Sequence, residues 1–557
     1  MVAGSGGEEA SSLRAGEADL FAFGSYRGLV ESFEWHVPQY LNMASEVFDR
    51  WSQDRRRIAL YVERGDGGRD VWSYWQLIRL AKRYANYLRS LGIERGDRVA
   101  LVMDQGAELA ALHLAIYAIG AVALPMSKLY GPETYAHILT DSQAKALVVA
   151  EGPAQKIRPI LGLLPLLTTV VVHGASIEGE EPLADALVHS AEFEPVNSLA
   201  DDPALLVYTS GSSGHPKGAL HGHQILEGYL LTFRLFFNIR FDESTVFYTP
   251  SDWAWVGGLL DILLPALVLG HPVVADEQRF SAERAFEVMG RNGVTHAFLT
   301  PTTLKMMAQV PSPKESFDLD LRVIASGGES VADELHGWAD REFGAVVNEF
   351  YGLTEVNHLV GGCEALGTGR PGWMGLPYPG RIVALLDSDG AEPADGEVGE
   401  IGVRPGDPTQ MLEYWGKPDA TAKRIRHGWI MTGDQAVRNA DGYIRYLGRD
   451  DDMISSAGYR IGPAEVEECL LRHPAVSEVG VIPAPDSTRG QIVMAFVVLA
   501  QGYEASEQLT GELQQQVKIQ LAAYKYPRLI EYVEDMPKTT TGKINRKLLV
   551  ASLTARS

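Results

Sequence analysis

Four stretches of this chain carry residue types and spacings suited to holding a phosphorylated ligand. The first is YTSGSSGHPKG, residues 208–218. An apolar run, ALLVY, delivers the hydroxyls of Thr209, Ser210, Ser212 and Ser213. Gly211, Gly214 and Gly218 let the backbone curl and turn N–H groups toward an anion. Lys217 adds a cation, and Pro216 argues against a helix starting at once. The common phosphate-loop spacing G-x-x-x-x-G-K-[ST] is absent, because Lys217 follows a proline and precedes a glycine. A Gly/Ser surface turn is the plain alternative; the strand in front and the lysine favour phosphate.

The second stretch is NEFYGLTEVN, 348–357, where Thr354 offers a hydroxyl and Glu355 a carboxylate just after a glycine. Mg²⁺ is commonly held by one or two carboxylates together with phosphate oxygens, which makes Glu355 a candidate metal ligand. A Thr-Glu pair also opens ordinary helices. The third is GWIMTGD, ending in Asp434, whose carboxylate could take two ribose hydroxyls; taken alone it is a turn aspartate. The fourth is MPKTTTGKINRKLL, 536–549, with Lys543 between a Thr/Gly turn and further basic residues. By itself it reads as a solvated basic tail.

The elements that must position these groups follow from length and pattern. A chain of 557 residues exceeds what one core usually serves, so at least two domains are expected. The net charge of −23 argues against a nucleic-acid partner. Two cysteines, Cys363 and Cys469, are too few for a disulfide framework or a metal cluster and fit a reducing, cytoplasmic setting. Residues 1–25 are small, polar and acidic; they read as a loose leader and not as a signal peptide. The most apolar run, LLDILLPALVLGHPVVA (259–275), is interrupted by Asp261, Pro265 and His271 and is short for a membrane span. It is expected to form a buried helix followed by a strand.

Short apolar runs at 98, 146, 169, 204, 271 and 322 alternate with helical patterns such as AELAALHLAIYAIG. That alternation predicts an α/β architecture with covered, mostly parallel sheets. Near residue 380 the texture changes to short strands split by Asp-Gly and Gly turns, a β-rich subdomain. The last hundred or so residues read as a separate small α+β unit. The predicted division is an N-terminal domain over 26–448, a connector over 449–452 and a C-terminal domain over 453–557.

Taken together, YTSGSSGHPKG, SGGES, YGLTE, TGD, GRDDDMISSAGYRIGPAEVE and PKTTTGKINRK resemble, in order and spacing, the adenylate-forming superfamily of acyl-CoA synthetases, peptide-synthetase adenylation domains and luciferases. The likeness runs from about residue 50 to 550 and lies nearest to medium-chain acyl-CoA synthetases. It implies ATP and CoA as substrates, Mg²⁺ as the metal, and a carboxylic acid activated as its adenylate and then transferred to a thiol. It further implies that Thr209, Ser210, Ser212, Ser213 and Lys217 grip the pyrophosphate, and that Gly328, Glu329 and Tyr351 flank adenine. Thr354 would touch the α-phosphate and Glu355 the metal. Asp434 would hold the ribose with support from Arg449, and Lys543 would bridge acid and phosphate. The C-terminal domain would be mobile about Asp451, with Asp450 or Asp452 able to share that role. After rotation it would present Gly458 to the thiol tunnel and Arg460 to nucleotide or CoA.

For the acid, the resemblance points to Gly352, where acetate and propionate enzymes commonly carry tryptophan, so a medium-chain or similarly sized acyl group is expected. Trp255 in TPSDWAWVGGLL is expected at the acyl pocket or tunnel wall; for Trp253 and Trp255 alike, core packing is the even alternative. A short-chain or aryl acid–CoA ligase, or a free-standing enzyme loading a carrier protein, is the alternative reading. No carrier-protein segment follows the small C-terminal unit, which disfavours a modular synthetase. No membrane span is expected, and a homo-oligomeric state is left open.

Overall fold

The structure is a computed structural model describing residue 20 and residues 25–209, 216–456, 459–486, 489–522, 524–539 and 543–554. The predicted leader lies almost wholly outside the described residues.

The apolar runs are strands because they are short, β-branched and covered on both faces. Ala146–Ala150 is buried at every position, the pattern of a strand inside a parallel sheet. It belongs to an eight-stranded sheet with Arg98–Val102, Val122–Pro125 and Pro203–Thr209 among its parallel members. Between them, Ala107–Ala118 is buried at every residue except Glu108 and packs against Tyr74–Ser90. That longer helix opens on a capping box: the Ser73 side chain accepts from Gln76 N, and Gln76 Oε1 accepts from Ser73 N at 2.9 Å.

A second, nine-stranded sheet runs parallel through Ile58–Glu63, Val273–Asp276, Phe247–Tyr248, His296–Phe298, Val323–Gly327 and Val346–Leu353. Its edges turn antiparallel at Arg69–Ser73 and Asn357–Gly361. The expected helix-then-strand over 259–275 is present, with a local widening. Pro265 has no N–H to offer the carbonyl of Asp261, and Leu259–Leu263 takes i→i+5 turns before Leu264–Leu269 resumes as an α-helix. Gly270, at φ 84°, ends that helix.

The β-rich subdomain is a five-stranded antiparallel sheet in which Trp429–Arg438 is flanked by Val398–Val403 and Ile444–Arg449. Residues Asp450–Asp452 make one 3₁₀ turn. Beyond it, a second five-stranded sheet centred on Gly490–Leu499 pairs with Val476–Asp486 and Leu529–Tyr532. The helices Pro463–Leu471 and Glu507–Gln520 cover it around a separate core of Ile454, Val466, Val481 and Val497. The two parts meet closely at Gly462, where a Cβ would stand 2.3 Å from the carbonyl oxygen of Leu447. Among the described residues no helix is long and apolar enough to cross a membrane. Both cysteines are buried and free.

Candidate active site

Parallel strands all end on the same side of their sheet, and the loops leaving those ends enclose a common crevice. Here the ends of Phe247–Tyr248, His296–Phe298, Val323–Gly327 and Val346–Leu353 open into a cleft of about 2190 Å³, closed from the other side by the C-terminal unit. Thr209, Lys217, Gly328, Glu355, Asp434 and Lys543 all line it, although they span more than 300 residues of chain.

Thr209 ends one strand and Lys217 begins the next, paired directly across from it in an antiparallel hairpin. Lys217 is therefore a strand residue and not part of a free loop, so its position is set by the sheet ladder. Its Nζ lies 5.4 Å from the ring centroid of Tyr414. Ser210, Ser212 and Ser213 lie outside the described residues.

Glu355 follows Thr354 at the end of the strand and is 6% exposed. Its Oε1 accepts hydrogen bonds from the Tyr414 hydroxyl and from Arg424 Nη2, the latter at 2.7 Å. Both bonds fall on one oxygen; among the described residues none is made to Oε2. Arg424 also donates from Nη1 to the carbonyls of Met431 and Thr432 at 3.0 Å, tying Glu355 to the segment that leads into Asp434. Behind Thr354 sits His221, fully buried and pushed down to about 4 by loss of solvent. The residues present suit Mg²⁺: one carboxylate with a fixed orientation and one uncommitted oxygen, leaving the other positions to phosphate and water.

Asp434 and Arg449 are cross-strand partners, which brings together residues 15 apart in sequence. Arg449 Nε stands 3.7 Å from Asp434 Oδ1. The Tyr351 hydroxyl donates to Asp434 Oδ2 at 2.7 Å. Burial raises the Asp434 carboxyl above the usual carboxylate range, against the lowering by Tyr351 and Arg449. Gly328 has φ 93°, in the left-handed region that favours glycine, and Lys543 Nζ is 3.6 Å from where its Cβ would be. The neighbouring Glu329 accepts from Thr302 Oγ1 at 3.0 Å. Lys543 is held on its own loop by a bond from its N to Thr539 Oγ1 at 3.2 Å.

At the connector the three aspartates separate. Asp450 accepts from Gln435 Nε2 at 3.0 Å, and Asp452 faces Arg546 at 3.8 Å, whereas Asp451 is exposed. Gly458 lies outside the described residues. The backbone of Arg460 pairs with Ser455 in a short hairpin.

The two tryptophans also part ways. Trp253 is wholly buried in the core, while Trp255 lines the cleft, edge-on to Tyr130 at 6.0 Å. Gly352 lines the cleft as well, but its lack of a side chain has a further cause. The strand bulges there, and a Cβ would stand 2.2 Å from the carbonyl oxygen of Asn357. The glycine is demanded by the backbone and is not simply an opened pocket. Tyr414 and Arg424 were not expected from sequence; the only local sign was a basic cluster, KRIRHG, just ahead of TGD.

One cleft thus gathers a strand-held lysine, a buried glutamate, a buried aspartate and a lysine from the C-terminal unit. Residues 47–415 match the family described as AMP-binding enzyme, and residues 465–543 match the AMP-binding enzyme C-terminal domain. The chain belongs to this family, the adenylate-forming superfamily, and is an AMP-forming ligase. It is 32% identical to the uncharacterized acyl-CoA ligase YtcI of Bacillus subtilis, over 92% of this chain and 96% of that one. It is 33% identical to the mitochondrial acyl-coenzyme A synthetase ACSM4 of Rattus norvegicus, over 92% and 90%. Among solved structures, the anthranilate CoA ligase AuaEII in complex with anthranoyl-AMP superposes with a TM-score of 0.86 at 29% identity, over 93% of this chain and 99% of that one.

Proposed function

We propose that the protein is an ATP-dependent carboxylate–CoA ligase. In the first half-reaction the acid's carboxylate oxygen attacks the α-phosphorus of ATP, an acyl–O–P bond forms, and the bond to pyrophosphate breaks. In the second, the CoA sulfur attacks the acyl carbon, the thioester forms, and the acyl–oxygen bond breaks to release AMP. The single observation that carries this reading is the approach of Lys543, from the C-terminal unit, to Gly328 in the cleft that also holds Glu355 and Asp434.

The residues act mainly by placing and neutralising negative charge, which is what this chemistry requires. Thr209 and Lys217, with the hydroxyls of Ser210, Ser212 and Ser213, hold the departing pyrophosphate. Asp434 takes the ribose hydroxyls, with Tyr351 and Arg449 fixing its orientation. Lys543 bridges the acid and the α-phosphate. Mg²⁺, held by Glu355 with phosphate oxygens, would supply further charge neutralisation. Residues 449–452 serve as the hinge, with Asp451 the pivot, and Gly458 and Arg460 serve the thiol half-reaction.

The acid is of medium-chain or similar size. An aryl acid is the second reading, supported by the likeness to the anthranilate ligase and by the aromatic walls of Trp255, Phe298 and Phe350. We place the enzyme in the cytoplasm. The test is a panel of acids from acetate to long-chain and aromatic, scored for AMP release with and without CoA. Formation of ADP, or no AMP with any acid, would overturn the proposal.

A further inference from the structure

The cleft wall beyond Gly352, on the side proposed to take the acid, is polar. Gly352 is the cross-strand neighbour of His358, and beyond His358 lies Asp261. Both line the cleft, and their side chains are only 5% and 6% exposed. Asp261 comes from the widened turn Leu259–Leu263, ahead of Pro265, where its sequence neighbours Leu260 and Ile262 are wholly buried. Widened turns of this kind occur frequently at functional sites.

Three polar side chains near Asp261 are already committed, whereas the buried Tyr378 hydroxyl has no hydrogen-bond partner among the described residues. The Tyr229 hydroxyl donates to Asn357 Oδ1, and Asn357 Nδ2 donates to the carbonyl of Thr409. Thr232 Oγ1 lies 2.8 Å from His358 Nδ1 and 3.1 Å from the carbonyl of Gly228. His358 Nε2 is 3.0 Å from Asp261 Oδ1, yet no hydrogen bond joins the two. No described residue donates a hydrogen bond to either Asp261 oxygen. Oδ2 lies 3.7 Å from where a Cβ of Gly257 would be, so the bare glycine leaves it uncovered on the cleft side. A buried carboxylate without a donor is unfavourable, and here it borders the space that the acid enters.

We infer that the acid this enzyme activates carries a hydrogen-bond donor, a hydroxyl or an amine, remote from its carboxylate, and that Asp261 accepts from it. His358, held by Thr232, stands beside the carboxylate and limits its movement. The inference rests on the ligase reading and narrows its substrate.

The test compares acids matched in heavy-atom count: hydroxy- and amino-alkanoates against alkanoates, and hydroxy- and aminobenzoates against methylbenzoates. Pyrophosphate release is measured for the wild-type enzyme, Asp261→Leu and Asp261→Asn, with melting temperatures to confirm folding. The wild type is expected to favour the donor-bearing member of at least one pair by about 10-fold or more in kcat/KM, as a site built around a buried acceptor should. In Asp261→Leu that ratio falls to about one or inverts, and in Asp261→Asn it is intermediate. If the wild type uses unsubstituted acids as well as their donor-bearing partners, or if a folded Asp261 variant keeps the preference, the inference is overturned and the ligase reading stands. The wild-type comparison decides even if both variants fail to fold. No AMP from any acid would remove both.

Discussion

At the scale of single residues, the groups proposed to touch ligand depend on others that do not. Arg424 and Tyr414 hold Glu355 by one oxygen and so aim the other. Ligands fixed this way typically lose about 10- to 100-fold in metal affinity when the supporting group is removed. Arg424→Met is therefore expected to raise the Mg²⁺ concentration needed for half-maximal pyrophosphate release by about that factor, with ATP affinity at saturating Mg²⁺ changing much less. Asp434 makes a second case. Its carboxyl is raised by burial, so the folded state holds its proton more tightly than the unfolded chain, where the value is about 3.9. That contribution favours the fold below the unfolded value, is lost as pH rises through the folded value, and leaves a cost at neutral pH. Asp434→Asn is expected to stabilise the protein at pH 7 and to lose that advantage in acid, as read by urea unfolding at both pH values, while ATP binding weakens.

At the scale of elements, ladder geometry places what the motifs only name. Thr209 faces Lys217, Asp434 faces Arg449 and Gly352 faces His358 because each is a cross-strand pair. The bulge at Gly352 has its own consequence. A Cβ there meets backbone, which cannot swing aside as a side chain can. Gly352→Ala is expected to cost about 2–4 kcal/mol of unfolding free energy, measured by denaturant titration. The cost should be larger for Gly352→Trp, so a change in acid preference of the tryptophan variant would report a rebuilt strand end as much as a shortened pocket.

At the scale of the whole molecule, the cleft is complete only with the C-terminal unit seated on it. The unit is held partly by exposed ion pairs, Arg472 to Asp333 at 3.4 Å among them, and such pairs are individually weak. A seat of that kind can be left and regained, as the rotation proposed about Asp451 requires. Lys543→Ala is expected to lower adenylate formation by about 10²–10³-fold, as loss of a charge-stabilising group does. The same variant should still convert supplied acyl-adenylate and CoA to thioester. Equal loss in both assays would mean that Lys543 serves both orientations.

The sequence alone determined the superfamily and the alternation of strand and helix, and it singled out Thr209, Lys217, the Thr-Glu pair, Asp434 and the terminal lysine as candidates. Each of these is written in a contiguous window, where residue type and backbone demand sit side by side. Glycines beside hydroxyls or a lysine are informative without knowledge of what lies across the cleft. Only the tertiary structure decided that Arg424 reaches Glu355, that Trp253 packs inside while Trp255 faces the cleft, and that Gly352 answers to a bulge. It alone brought Asp261 beside His358. On sequence, Asp261 is an interruption in an apolar run and His358 one residue of an uninformative VNHLVGG. Their meaning depends on a helix turn widened by Pro265 and a strand paired to Gly352, contacts between distant segments that packing creates and local pattern does not encode.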